Sequence, residues 1–169
     1  VPNKTFPMDV RHDYDGNPCS HRKAHNIYGT QMARATYHGV KRFAYPKRPF
    51  VITRSAYSGA QRYTSSWTGD NVATWEHLWI ANIQVQRMSI SGMGFTGSDI
   101  GGFAEQPSGE LYARWIQLGV FHPFCRTHSS GDHGDQEPWA FDEEVIDITR
   151  NFVNLWYQLL PYLYTMFWQ

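Results

Sequence analysis

The feature that most constrains this chain is its alternation of short apolar runs with longer segments of helical period. Phe50-Val51-Ile52-Thr53, Tyr63 to Trp67, Met93-Gly94-Phe95-Thr96 and Val120 to Arg126 each read as a strand, the last weakened by Pro123. These runs are short and continuously apolar rather than alternating, as strands buried on both faces of a parallel sheet are. Helical spacing fills the gaps between them. It predicts a helix from His25 to about Val40 and another from Thr74 to Ser91, with Trp75, Leu78, Trp79 and Ile83 on one side. A short helix follows Ser108 as its N-cap candidate. A long aromatic-rich helix runs from Asp142 to Trp168, where Pro161 is expected to break or kink it. About four βα units are visible, half of what a (β/α)8 barrel needs, and an open four-stranded sheet is the alternative on pattern alone.

Residues 1–23, rich in Pro, Asp, His and Gly without a sustained period, read as an irregular loop. The opening Val1-Pro2-Asn3-Lys4 lacks an initiator Met and any signal-peptide architecture, the start expected of a piece of a longer chain. Hydrophobic residues make up 41% of the chain and charged residues 18%, which excludes a disordered or polyelectrolyte segment. Fifteen basic and fifteen acidic residues cancel with no basic stripe, so a nucleic-acid partner is not expected. No apolar run is long enough for a membrane span. Seven Trp and ten Tyr are the compositional outlier, and each ring is expected in the core more often than stacked on a ligand. Cys19 and Cys125 have no metal-like spacing, and their pairing and the redox compartment stay open.

Polar residues cluster at strand exits. Arg54 follows the first predicted strand, Asp70 the second, Asp99 the third and His128 the fourth. In a parallel barrel these exits open onto one face, where active sites are built. The competing reading is structural: helix caps and rim ion pairs, with Asp70 a cap candidate for the helix just after it. His21 and His25 are four residues apart, but no third ligand is evident and no metal is expected there. Asp132, His133 and Asp135 read as a solvated rim.

Several ordered motifs go further. Arg-Pro-Phe-Val-Ile-Thr-Arg-Ser (48–55), Arg-Tyr (62–63), Trp-Thr-Gly-Asp-Asn (67–71), Thr-Trp-Glu-His-Leu (74–78) and Gly-Ser-Asp-Ile-Gly-Gly-Phe (97–103) come first. Arg-Trp-Ile-Gln-Leu-Gly-Val-Phe-His-Pro-Phe-Cys-Arg-Thr-His (114–128), Glu-Pro-Trp (137–139) and Leu-Leu-Pro-Tyr-Leu-Tyr (159–164) follow. Together they resemble glycoside hydrolase family 31, in the family's order and over nearly the whole chain. The resemblance implies the C-terminal half of a (β/α)8 TIM barrel, about strands 5–8, with residues 1–23 as the loop after the fourth strand. It also implies a retaining mechanism with two carboxylates about 5–5.5 Å apart.

By this resemblance Asp70 is the acid/base, held protonated when sugar binds by a raised pKa. Arg54, Asp99, Arg126 and His128 hold the substrate, Asp99 accepting two hydroxyls and Arg126 supporting the carboxylates, and Trp67 and Phe103 wall the pocket. The family's nucleophile lies in a Trp-x-Asp-Met-Asn-Glu segment that this sequence lacks, just upstream of a stretch like Val1-Pro2-Asn3-Lys4-Thr5-Phe6-Pro7. The expected function is hydrolysis of terminal α-linked glucose from oligosaccharides, without a cofactor, the upstream half of the barrel supplying the nucleophile. The isolated chain is then expected to be inactive. The rivals are an α-xylosidase of the same family and an inert sugar-binding or assembly fragment.

Overall fold

The computed structural model describes residues 5–168, so Val1 to Lys4 of the family-like opening lie outside the described residues. The chain divides into two compact units, the first ending at Thr64 and the second beginning at Ser65.

In the first unit, β1 (Arg11–Tyr14) and β2 (Asn17–Ser20) form an antiparallel hairpin within the segment that reads as an irregular loop. Its turn is Asp15-Gly16, with φ of 46° and 79°, the two left-handed positions that a two-residue hairpin turn requires. Helix α1 (His21–Phe43) starts at once, four residues before the expected His25. No side chain caps it. Instead the backbone ahead of the hairpin satisfies its first amides, with His21 N donating to Val10 O at 2.7 Å and Arg22 N to Met8 O at 2.9 Å. Arg34 of α1 pairs with Asp15 of the turn at 2.6 Å. Phe50 to Thr53 forms no ladder; only Ile52 takes part in a bridge.

The second unit holds the β/α alternation. β3 (Ser66–Trp67) pairs in parallel with β4 (Thr96–Gly97), and β5 (Asp99–Ile100) pairs in parallel with β6 (Arg126–Thr127). The central stretch 96–100 is bonded on both sides: Thr96 O accepts from Phe124 N at 3.2 Å and Gly97 O from Thr68 N at 3.1 Å. A Cβ at Gly97 would lie 1.8 Å from Phe124 O, so only glycine permits this approach. The strands are shorter than the apolar runs suggest, and the third and fourth start later, at Thr96 and Arg126.

α2 (Trp75–Ile90), α3 (Gly109–Gly119) and α4 (Glu143–Trp168) follow the strands in turn. Thr74 caps α2, accepting from His77 N at 3.2 Å, so Asp70 is not its cap. Ser108 Oγ accepts from Leu111 N at 3.2 Å, as the sequence predicts, and Asp142 Oδ1 caps α4 through Val145 N at 2.9 Å. α4 runs through Pro161 without a break. Proline removes one amide donor there, but the helix bonds regular turns on both sides, and Thr165 Oγ1 donates to Pro161 O at 2.9 Å.

α3 buries Leu111, Tyr112, Trp115 and Ile116 against Ile100, Val120 and Val145, forming the core. Trp115 Nε1 donates to Ser98 Oγ at 3.0 Å, so this fully buried indole leaves no unmet donor. Against the expectation for single rings, Trp75, Trp79, Trp139 and Trp168 are exposed, each at 50% or more. Because α3 is central and its cap amide bond is well formed, Ser108→Ala is expected to cost about 1 kcal/mol in urea unfolding. A change below a few tenths would show the bond to contribute nothing.

Candidate active site

Within the second unit, five of the predicted residues come together with Asp70 around the ends of β3, β5 and β6. Gly69 turns the chain at φ 84° just after β3, and Asp70 follows it, exposed. The next residue, Asn71, is buried and pins the loop. Its carbonyl accepts from Phe103 N at 2.7 Å and Ala104 N at 3.1 Å, its amide donates to Gly69 O at 3.0 Å, and Thr68 Oγ1 donates to Asn71 Oδ1 at 2.5 Å. Asn71 was visible only as the last letter of the Trp-Thr-Gly-Asp-Asn motif.

Asp99 lies inside β5 rather than beyond a strand end, and it is fully buried. Arg126 Nη2 donates to its Oδ1 at 2.5 Å, which leaves Oδ2 as a buried acceptor with no partner among the described residues. Oδ2 keeps both of its lone pairs for other donors. Burial raises the Asp99 pKa most, the hydrogen bond and charge of Arg126 and the charge of His128 oppose this, and Asp70 adds a smaller upward push. Asp70 and Asp99 are therefore close enough to sense each other's charge.

The Arg126 guanidinium sits over two rings, Trp67 at 5.6 Å and Phe124 at 4.9 Å from their centroids. Flanked by aromatics and anchored by a buried carboxylate, it is a fixed cation rather than a mobile surface arginine. The Phe103 and His128 rings pack with centroids 5.3 Å apart. Ser130 N donates to Phe103 O at 2.8 Å, tying the loop after β6 to the loop after β5. The result is an exposed carboxylate, a second, buried carboxylate paired with a half-buried guanidinium, and a ring wall: suited to holding a polar, uncharged, hydroxyl-rich ligand and moving a proton.

Arg54 belongs to the first unit. There it lines a cavity of about 920 Å³ with Thr5, Phe6, His21, His25 and Tyr28. His21 and His25 do face one another, Nε2 to Nδ1 at 3.1 Å, and His12 Nε2 meets His21 Nδ1 at 2.8 Å. They hydrogen-bond in a row with Thr5, and no three His, Cys, Asp or Glu side chains among the described residues converge as metal ligands. Burial and the two neighbouring imidazoles lower the His21 pKa. Cys19 and Cys125 are unpaired thiols, and burial pushes Cys125 up to about 11, which keeps it an inert thiol.

Residues 2–166 match the model described as the glycosyl hydrolases family 31 TIM-barrel domain. The chain belongs to glycosyl hydrolase family 31. Alpha-glucosidase 2 of Bacillus thermoamyloliquefaciens is 47% identical over 98% of the chain, and glucosidase 2 subunit alpha of Saccharomyces cerevisiae is 46% identical over 98%. This family 31 domain spans only 21% and 17% of those two relatives. A glucosidase II alpha subunit solved with Glc1Man2 bound superposes with a TM-score of 0.89 and 37% identity, covering 95% of this chain and 17% of that one. The fold is accordingly the C-terminal part of a (β/α)8 barrel, not an open four-stranded sheet. No helix of the described residues is long and apolar enough to cross a membrane.

Proposed function

We propose that this domain forms the acid/base side of a retaining active site that hydrolyses terminal α-linked glucose. The observation that carries the reading is Asp70, exposed at the end of β3 in the Trp-Thr-Gly-Asp-Asn motif and backed by the Asp99–Arg126 pair. In the first step the Asp70 carboxyl gives its proton to the glycosidic oxygen as a nucleophilic carboxylate attacks the anomeric carbon. In the second, the Asp70 carboxylate takes a proton from water, which displaces the sugar from the nucleophile. Arg126, fixed by Asp99 and stacked on Trp67, stabilises the anionic charge of the pair, and Asp99 serves chiefly to hold it. Phe103 and His128 bound the sugar, His128 donating to a hydroxyl.

The 169 residues hold no Trp-x-Asp-Met-Asn-Glu segment, so the nucleophile comes from an upstream part of the barrel. The exposed rings of Trp75, Trp79, Trp139 and Trp168 support a protein partner of that kind, since isolated domains rarely leave so many large rings in water. The names of the relatives, which are glucosidases, favour glucosides over xylosides.

The test is release of p-nitrophenol from p-nitrophenyl α-glucoside by the chain alone and by the chain mixed with an upstream half-barrel. Turnover only in the mixture is expected. Turnover by the chain alone would mean that it holds its own nucleophile. Sugar binding without turnover in the mixture would favour an inert sugar-binding module, and faster release from the xyloside would favour an α-xylosidase.

A further inference from the structure

We propose that Gln136 and Gln106 form a reciprocal clasp that sets the spacing of Phe103 and His128, and so positions the sugar; this rests on the reading of the site given above. Gln136 lies in the loop after β6 and is buried, with Nε2 donating to Gly102 O at 3.0 Å. Gln106 lies in the loop after β5, and its Nε2 donates to Asp135 O at 2.9 Å. Each loop thus reaches into the other with one amide, at two points that flank Phe103 on its own loop.

The backbone is shaped around these amides. Gly101 and Gly102 have φ of 88° and 89°, a pair of left-handed positions immediately after β5, and Gly102 N closes the turn on Asp99 O at 3.0 Å. A Cβ on Gly101 would lie 2.7 Å from Gln136 Oε1, and one on Gly102 would lie 2.7 Å from the Ala73 backbone. On the other loop, a Cβ on Gly134 would stand 3.0 Å from Gln106 Oε1. The Gly101-Gly102 turn is therefore held between Gln136 on one side and, on the other, the segment that follows Asp70. Phe103 is the next residue, and its orientation toward His128 is set by where that turn is held. An apolar residue at 136 would leave the Gly102 carbonyl buried and unmet, and the turn would move to find another donor.

The experiment compares wild type with Gln136→Leu, Gln136→Glu and Gln106→Leu. In the 169-residue chain, the ring-current shift of the His128 imidazole protons caused by Phe103 is read by NMR. In the chain assembled with the upstream half, KM and kcat are measured on p-nitrophenyl α-glucoside. Loss of the shift is expected in Gln136→Leu, with KM raised about tenfold and kcat little changed, the size expected for one unmet buried acceptor, and a smaller change of both in Gln106→Leu, whose bond to Asp135 O is exposed. Gln136→Glu keeps the shape but donates only when protonated, so its ring-current shift should return as the pH falls through its carboxyl range, which a general loss of packing would not do. A His128 shift unchanged in Gln136→Leu would overturn the clasp, as would a lost shift with KM unaltered. If the Leu variant does not fold, a Gln136→Glu shift that ignores pH overturns it instead. Absence of turnover in the wild-type assembly would sink the hydrolase reading alone, the NMR result still deciding the clasp.

Discussion

Asp70→Asn is expected to cut turnover of an α-linked disaccharide by the assembled barrel by roughly 10²–10⁴-fold, the usual contribution of one positioned acid/base group. Asparagine keeps the shape of the side chain at the end of β3, so the pinned loop through Asn71 should survive the change. What is lost is the proton. A sugar leaving group cannot depart as an alkoxide without one, and the first step then fails. With p-nitrophenyl α-glucoside the leaving group departs as a stable phenolate and needs little help. That first step should persist while the second, which needs water to be deprotonated, stalls. A burst of p-nitrophenol followed by slow release is the expected trace. Azide, a nucleophile that needs no base, should restore turnover and yield the glucosyl azide. Equal rates for wild type and Asp70→Asn on both substrates would remove Asp70 from the chemistry.

The second large effect is on stability in acid. His122 is 5% exposed in the second unit, its Nδ1 has no hydrogen-bond partner among the described residues, and burial lowers its pKa from 6.5 to about 4. The folded imidazole therefore resists a proton that the unfolded chain accepts. Above pH 6.5 neither state is charged and the group is neutral in effect. As the pH falls from 6.5 to 4 the unfolded state gains protons first, so stability is lost across that window, by about 3 kcal/mol in total. Asp99 acts in the opposite sense. Its raised pKa means the folded state takes its proton more readily, and stability recovers somewhat as the pH falls through the carboxylate range. Chemical unfolding of wild type and His122→Leu at pH 8 and pH 4 separates the two. The wild type should lose about 3 kcal/mol more than the variant over that interval. Parallel losses would show that His122 is protonated equally in both states.

The acid effect and the catalytic effect differ in how they were visible beforehand. Asp70 stands in a motif whose letters are contiguous, so its place after a strand could be read from five residues. His122 sits in a longer motif, but nothing local marks it as buried. Its burial is a property of assembly.

Other departures have the same origin. Asp15-Gly16 is a strong hairpin signal, but Arg11 to Tyr14 and Asn17 to Ser20 carry no apolar alternation to announce the strands beside it. The start of α1 was hidden because its first amides are satisfied by Val10 and Met8 carbonyls rather than by a capping side chain. Pro161 looked like a break because the rule is local, whereas α4 loses one bond in a helix of 26 residues. Asp99 seemed to lie past a strand because the strand it belongs to is defined by Arg126 and Thr127, far along the chain.

The sequence by itself determined the β/α alternation, the helices to within a few residues, the Ser108 cap, the family and the motif that carries Asp70. Each of these depends on periodicity or on neighbours within a turn or two. Only the tertiary structure decided that Asp99 is a buried anchor for Arg126, that Phe103 meets His128, and that two glutamines lock the loops bearing them. Those bonds join residues about thirty positions apart. Their partners are chosen by how the strands line up, and no local pattern of side chains encodes that choice.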